Sequence, residues 1–266
     1  MGDPVPSSSY LSFVGIVKKA AIWFCNAQNR RRSEMPAGPA DVRDQRRRLD
    51  KGGRFTLLTG MDQLNQTLFA LINGPADPAP ATLILAQFLA DWVLYLVAAG
   101  LVIGWLRAGA ETRRALVRVA LTMVLALAVN FTIAALWYHP RPFELGIGNQ
   151  LIAHAPETSF PSDHATILFA VAFSLFAFSA ARLWAWLALV AAVVVSWARV
   201  WLGIHWPLDM LGSIVVALGA VWIAALVRNT RGINRVTTFA LNVFDRLLDL
   251  ARIPPRWVQR SGGTAQ

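Results

Sequence analysis

The chain has 266 residues, of which 56% are hydrophobic and only 15% charged, where a soluble domain carries about a quarter. Its net charge of +10 sits in the tails: residues 1–60 hold 11 Lys and Arg against 5 acids, residues 228–266 hold 7 against 2, and residues 61–227 hold 7 against 8. Lipid is therefore the expected solvent, nucleic-acid binding is disfavoured because no aromatic-basic module interrupts the apolar centre, and the single Cys25 excludes a disulfide framework or a cysteine zinc cluster.

Residues 1–60 read as a basic tail, and the stretch beginning at Met61 is start-like. Residues 64–73 place Leu64, Leu68, Leu71 and Ile72 at the spacing of an interfacial helix. Five apolar segments then approach the roughly twenty residues that cross a bilayer: 82–106, 115–138, 164–181, 183–201 and 208–227. A sixth crossing arises only if 64–73 also spans. The expected fold is all-α, a polytopic bundle of five or six membrane helices. Gly100 and Gly104 form a small-xxx-small pair, read as a point of close helix packing. The short connection at residues 180–183 predicts a tight hairpin, and 238–252 repeats apolar positions (Ala240, Val243, Phe244, Leu247, Leu248, Ala251) as an amphipathic helix. The segments divide as 1–60, a membrane domain at 61–227, and a basic tail at 228–266.

Orientation follows from the short basic connections, since Lys and Arg stay on the cytoplasmic side. Arg107, Arg113, Arg114, Arg182, Arg228, Arg231 and Arg235 mark that side. The connections at 139–163 and 202–207 then face outward, and all four histidines lie in them or at their rim: His139, His154, His164 and His205. With five spans the tail at 1–60 would also lie outside, which its basic charge resists. A start at Met61 or a sixth crossing resolves the conflict. Trp137, Trp197, Trp201 and Trp206 read as an interfacial aromatic belt.

Three outer segments carry the polar chemistry: Tyr138 to Phe143, Pro161-Ser162-Asp163-His164, and Arg199-x5-His205-x3-Asp209. Arg141 and Arg199 present planar forks suited to phosphate oxygens. Ser162 stands at a helix N-cap, where its hydroxyl and the first-turn amides can face an anion. Asp209, four residues after His205, can fix that imidazole's tautomer, the orienting logic of nucleophilic catalysis. His164 is suited to general acid and base work. Taken singly, an arginine at a helix end usually snorkels to headgroups and a loop histidine is usually solvated. Gathered on one face, the set makes a phosphoryl-transfer site. The competing metal reading, with His164, His205, Asp163 and Asp209 as ligands, is opposed by two guanidinium groups that would repel a cation.

At these residues the chain resembles the type-2 phosphatidic acid phosphatase superfamily, whose pattern is Lys-x6-Arg-Pro, Pro-Ser-Gly-His and Arg-x5-His-x3-Asp in that order. The resemblance covers roughly residues 61–227. It implies a phosphohistidine on His205, Asp209 as its orienter, and His164 protonating the leaving group. Arg141, Arg199 and Ser162 would hold the phosphoryl oxygens, with no metal or other cofactor. Two positions depart from the pattern: Ala134 replaces the lysine, for which His139 could partly substitute, and Asp163 replaces glycine. Asp163, counted with the substrate-binding residues, could also tune the acidity of His164 or simply cap the helix. Together with Trp201-x-Gly203-Ile204-His205-Trp206-Pro207-Leu208-Asp209 and the Met61 stretch, it resembles the bacitracin-resistance branch, whose members hydrolyse undecaprenyl pyrophosphate outside the bacterial cytoplasmic membrane. The implied partners are a lipid-linked pyrophosphate and membrane lipids. The rival readings are a phosphatase or phosphotransferase for phosphatidylglycerophosphate, phosphatidate or lipid A, and an anion-binding transporter or scaffold without chemistry.

Overall fold

The structure is a computed structural model that describes residues 55–250, with side chains from Gly60 onward. Among these residues there are seven α-helices and no strands: α1 (Phe55–Ile72), α2 (Pro80–Arg107), α3 (Ala110–Leu136), α4 (Asp163–Phe178), α5 (Arg182–Trp201), α6 (Pro207–Val227) and α7 (Arg231–Leu250). The expectations for residues 1–54 and 251–266 lie outside the described residues. Four helices, α2, α3, α5 and α6, are long and apolar enough to cross a membrane. The chain is a multi-pass membrane protein with an all-helical bundle.

The third expected span differs from its neighbours. At 16 residues α4 is only about 24 Å long, short of the roughly 30 Å hydrocarbon core. Its polar opening, Ser162-Asp163-His164, occupies the turn that a full span would fill with apolar residues. The remainder, from Ala165 to Leu175, is mostly buried against α3, α5 and α6. A helix wrapped by other helices has no need to match the bilayer thickness. Its hairpin to α5 is as tight as expected: Arg182 Nη1 donates to the Phe176 carbonyl at 2.6 Å, satisfying one orphan carbonyl of α4.

Successive helices run antiparallel, so the bundle has two chemically distinct ends. Pro80, Leu136, Asp163, Trp201 and Pro207 share one end with the 137–162 connection; Arg107, Arg182 and α7 share the other. At the second end Arg113 is wholly buried. Its Nε donates to Trp105 O at 2.9 Å, and its guanidinium lies 4.3 Å from the ring centre of Phe244 on α7. The arginine thus ties α2, α3 and α7 together. Helix α7 docks through Thr237, Leu241 and Leu248. Val243 and Leu247 of its expected apolar face are exposed, as are Val236, Phe239 and Leu250.

Other expectations shift with the packing. Helix α1 begins at Phe55 and turns Asn65 and Phe69 inward, while Leu64 and Leu71 are exposed. Trp201 and Trp206 belong to the interior and not to an aromatic belt: Trp206 packs on Phe69 at 5.1 Å and donates Nε1–H to Pro140 O at 2.9 Å. Trp137 and Trp197 do face outward. Gly100 and Gly104 are not a packing seam, because a Cβ at either position would meet nothing within 4 Å.

Candidate active site

The turn between α5 and α6 is set by backbone geometry before any chemistry enters. Gly203 has φ +79, and a Cβ there would fall 2.0 Å from Asn149 O, so only glycine fits. Asn73 cross-links the same region. Its Nδ2 donates to Asn149 O at 3.0 Å and Trp201 O at 3.1 Å, while its Oδ1 accepts from Asn149 N at 2.7 Å. The 146–151 strip is thereby pinned to the 201–203 turn, and His205 follows immediately. Pro207 opens α6 where its missing N–H costs nothing, and Leu208 N donates to Asn65 Oδ1 of α1 at 3.1 Å.

His205 is 2% exposed and bonded on both ring nitrogens. Nδ1 lies 3.1 Å from Asp209 Oδ2, and Nε2 lies 3.1 Å from Arg141 Nη1. A guanidinium can only donate, so Nε2 holds the lone pair and Nδ1 carries the proton given to Asp209. Burial, then the Arg141 and Arg199 charges, hold the imidazole well below its ordinary value of 6.5, so it stays neutral near physiological pH. Asp209 Oδ2 also accepts from Trp206 N at 2.8 Å and from the Ser159 hydroxyl. Its other oxygen, Oδ1, is buried without a partner among the described residues.

Arg141 is held by its own loop and by the turn before α6. Nε donates to Glu157 O at 3.0 Å, Nη1 to Ile204 O at 2.6 Å, and Nη2 to Thr158 O at 3.3 Å. Glu144 braces the turn by accepting from Arg141 N at 2.9 Å and Tyr138 Oη at 2.7 Å. Arg199 is also buried, but more sparsely bonded: Nη1 is 3.4 Å from Ala90 O and 3.8 Å from Asp91 Oδ1 on α2. Its Nε and the hydroxyl of Ser162 are both buried and unpartnered among the described residues. Ser162 is the N-cap residue of α4, yet its hydroxyl makes no cap bond. Ser213 on α6 takes the Ser162 N–H at 3.1 Å, locking the backbone and leaving that hydroxyl free. Buried donors of this kind, beside the N-terminus of a helix, are what an anion would satisfy.

Asp163 and His164 open α4. Asp163 Oδ1 accepts from Asn130 Nδ2 of α3 at 2.8 Å, and the same amide reaches Thr166 Oγ1 at 3.0 Å. The carboxylate is thus turned toward α3, and His164 makes no hydrogen bond among the described residues. No cation stands at Ala134. His139 does not take its place: the ring lies against Trp137 at 5.1 Å and Phe160 at 6.4 Å, in an aromatic cluster. His154 is half-buried with Nδ1 2.9 Å from Ala155 O. Burial, then the charge of Arg141, lower its pKa, which puts it within electrostatic reach of the site.

The structure therefore brings Arg141, His205 and Asp209 into direct contact and leaves Arg199 and Ser162 with free buried donors. Asp163 and His164 stand at the head of α4. Ser159 and Asn130, which bond Asp209 and Asp163, are not identified from the sequence. Among the described residues no three His, Cys, Asp or Glu side chains are grouped to hold a metal.

Comparison with known proteins matches this arrangement to one family. Residues 115–233 fit the family model described as PAP2 superfamily. A protein of Escherichia coli (strain K12), provisionally named undecaprenyl-diphosphatase YbjG, is 39% identical over 159 residues, covering 59% of this chain and 79% of the relative. Undecaprenyl-diphosphatase BcrC of Bacillus subtilis (strain 168) is 30% identical over 155 residues, covering 58% of this chain and 79% of its own. The crystal structure of Aquifex aeolicus LpxE shares the fold, with a TM-score of 0.52 at 20% identity over 60% of this chain and 94% of that one.

Proposed function

The chain belongs to the PAP2 superfamily and is a membrane-embedded phosphatase, and from that premise we propose that it hydrolyses undecaprenyl pyrophosphate to undecaprenyl phosphate and inorganic phosphate through a phosphohistidine on His205. The relatives' names support the substrate. The observation that carries the mechanism is the two-sided bonding of His205, with Asp209 on Nδ1 and Arg141 on Nε2.

In the first half-reaction the Nε2 lone pair attacks the terminal phosphorus in line, forming the N–P bond as the bridging P–O bond breaks. Asp209 stabilises the positive charge that develops on the ring. The terminal phosphoryl oxygens come to lie about 3 Å from Nε2, where Arg141 Nη1 already sits, so that group passes from the nitrogen to an oxygen. Arg199 Nε and the Ser162 hydroxyl, together with the first amides of α4, supply the remaining donors. Burial, then the charge of Arg199, hold the pKa of His164 down at about 3, so it gives its proton to the departing lipid phosphate once the substrate's negative charge has offset the arginines. In the second half-reaction His164 takes a proton from water, whose oxygen attacks phosphorus and displaces Nε2, releasing phosphate. Nothing in this cycle calls for a metal or other cofactor. The basic connections gather at the far end of the bundle from the site, which supports an outward-facing site in a bacterial cytoplasmic membrane.

Replacing His205 by Ala tests the reading. Purified protein should release phosphate from undecaprenyl pyrophosphate, and the variant should not. Release that persists in the variant refutes the mechanism. A wild-type preference for phosphatidylglycerophosphate, phosphatidate or lipid A in a parallel panel refutes the substrate.

A further inference from the structure

His154 has no part in the two half-reactions, yet the fold carries it to the mouth of the site. Residues 151–158 form a strip anchored at both ends. At its start Leu151 N donates to Leu202 O at 3.0 Å, and Leu151 and Ile152 pack with Ala86 and Ala90 of α2. Ala90 O is also the carbonyl that Arg199 Nη1 approaches at 3.4 Å. At the other end Glu157 O and Thr158 O accept from Arg141. His154 stands between, two residues after Ile152 and three before Glu157, and three residues span at most about 11 Å. The strip therefore bridges the two guanidinium groups, with His154 near its midpoint.

The ring is fixed on one nitrogen and open on the other. Nδ1 lies 2.9 Å from Ala155 O. A carbonyl only accepts, so Nδ1 carries the proton and Nε2 the lone pair. Nε2 has no partner among the described residues, and the side chain is half-buried. The charged and titratable groups within its reach are Arg141, Arg199 on α5, Asp91 on α2, His164 on α4, and His205. Burial, then Arg141, lower the pKa of the ring, so it is neutral in the free enzyme. An anion bound by both arginines offsets their charge. A proton taken up at Nε2 then makes that nitrogen a donor.

Charge decides what such a donor is for. A phosphate monoester carries roughly −1.5 to −2 near pH 7, and a second phosphoryl group adds about one more negative charge. Arg141 and Arg199 match the first, and no cation stands at Ala134 to meet the second. In-line attack puts the leaving group on the far side of phosphorus from His205 Nε2. That direction leads away from the buried turn and toward His164 and His154, which are both half-buried. We propose that His154 binds the second phosphoryl group, the one that leaves with the lipid, and thereby makes the site select pyrophosphates over monophosphates. The proposal rests on the undecaprenyl pyrophosphate reading. Two imidazoles then meet the leaving phosphate: His164 gives up its proton to it, and His154 keeps its own.

The test uses farnesyl pyrophosphate and farnesyl phosphate, which share one chain and differ by one phosphoryl group. Each competes against labelled undecaprenyl pyrophosphate on the full chain in detergent, so its inhibition constant is obtained whether or not it is turned over. In His154→Ala and His154→Gln the constant for the pyrophosphate should rise about tenfold or more, as for the loss of one hydrogen bond to a charged group. The constant for the monophosphate should move less than twofold. His154→Lys, which restores a cation, should keep the selectivity that His154→Gln loses. Equal weakening of both ligands overturns the proposal, as do unchanged constants, or selectivity kept in His154→Gln. A wild-type enzyme that hydrolyses undecaprenyl pyrophosphate but binds both probes equally overturns this proposal alone. Wild-type protein inactive on undecaprenyl pyrophosphate refutes the substrate reading itself, and this proposal falls with it.

Discussion

Ser159 offers the most informative single substitution, because it bonds the carboxylate that orients His205 and lies 3.4 Å from His205 Nδ1 itself, a longer contact than the one to Asp209. Its hydroxyl donates to Asp209 Oδ2, the oxygen that also receives His205 Nδ1 at 3.1 Å and Trp206 N at 2.8 Å. Ser159→Ala removes one of three donors from a buried carboxylate whose Oδ1 already has no partner. A hydrogen bond to a charged group contributes about 1.5–3 kcal/mol. If the whole loss falls on the transition state, kcat falls about 10- to 150-fold, at about 1.36 kcal/mol per decade. KM should move little, since Ser159 touches no phosphoryl donor. The assay is phosphate release against substrate concentration, with a thermal melt to confirm folding. The double variant with Asp209→Asn separates a positioning role from a general weakening. If Ser159 acts by holding Asp209, the two losses overlap and the double variant is little slower than Asp209→Asn alone. Fully multiplicative losses, or a Ser159→Ala enzyme within twofold of wild type, would refute the reasoning.

Other consequences are open to equally direct measurement. Arg141→Gln removes a positive neighbour that helps depress the His205 imidazole, so the acidic limb of the pH–kcat/KM profile should move upward toward the ordinary histidine range, on top of a lowered rate. A limb that stays put or moves down contradicts the assignment of His205 as the neutral nucleophile. Gly203→Ala places a methyl group against Asn149 O in a left-handed conformation, which costs about 1–2 kcal/mol before the clash is counted. Its melting temperature should drop by several degrees with activity lost in parallel, and unchanged stability would refute the turn geometry. Arg113→Ala, at the opposite end of the bundle, leaves the Trp105 carbonyl bare and Phe244 without its cation. It should destabilise by about 2–4 kcal/mol and leave the KM of the folded fraction unchanged. A raised KM would mean the two ends are coupled.

How much of this was legible in the sequence depended on the range of the interaction. Apolar segments are visible because lipid imposes length and composition locally, and α2, α3, α5 and α6 follow from that alone. The approach of Asp209 to His205 is also local, a four-residue offset at the start of a helix. Ser159 carries no such mark. A serine in a polar loop acquires its bond only when residues 139–160 fold over α6, bringing positions 50 apart together. Asn130 is hidden differently, as one polar residue inside an apolar span whose partner lies on another helix. Trp201 and Trp206 mislead because tryptophans near a span end usually face the interface, whereas here α1 and the Asn73 cross-link cover them. Gly100 and Gly104 show the limit of a spacing rule: two small residues four apart share a helix face, but whether a neighbour approaches that face is decided by the other helices.

The phosphoenzyme tests the central claim most directly. Wild-type protein mixed rapidly with undecaprenyl pyrophosphate labelled in its terminal phosphate, quenched in alkali within one turnover and digested, should carry the label on the peptide containing His205. That label should be lost in acid and absent from His205→Ala. Label on His164 or another residue would contradict the account, as would full product formation with no labelled protein at any time.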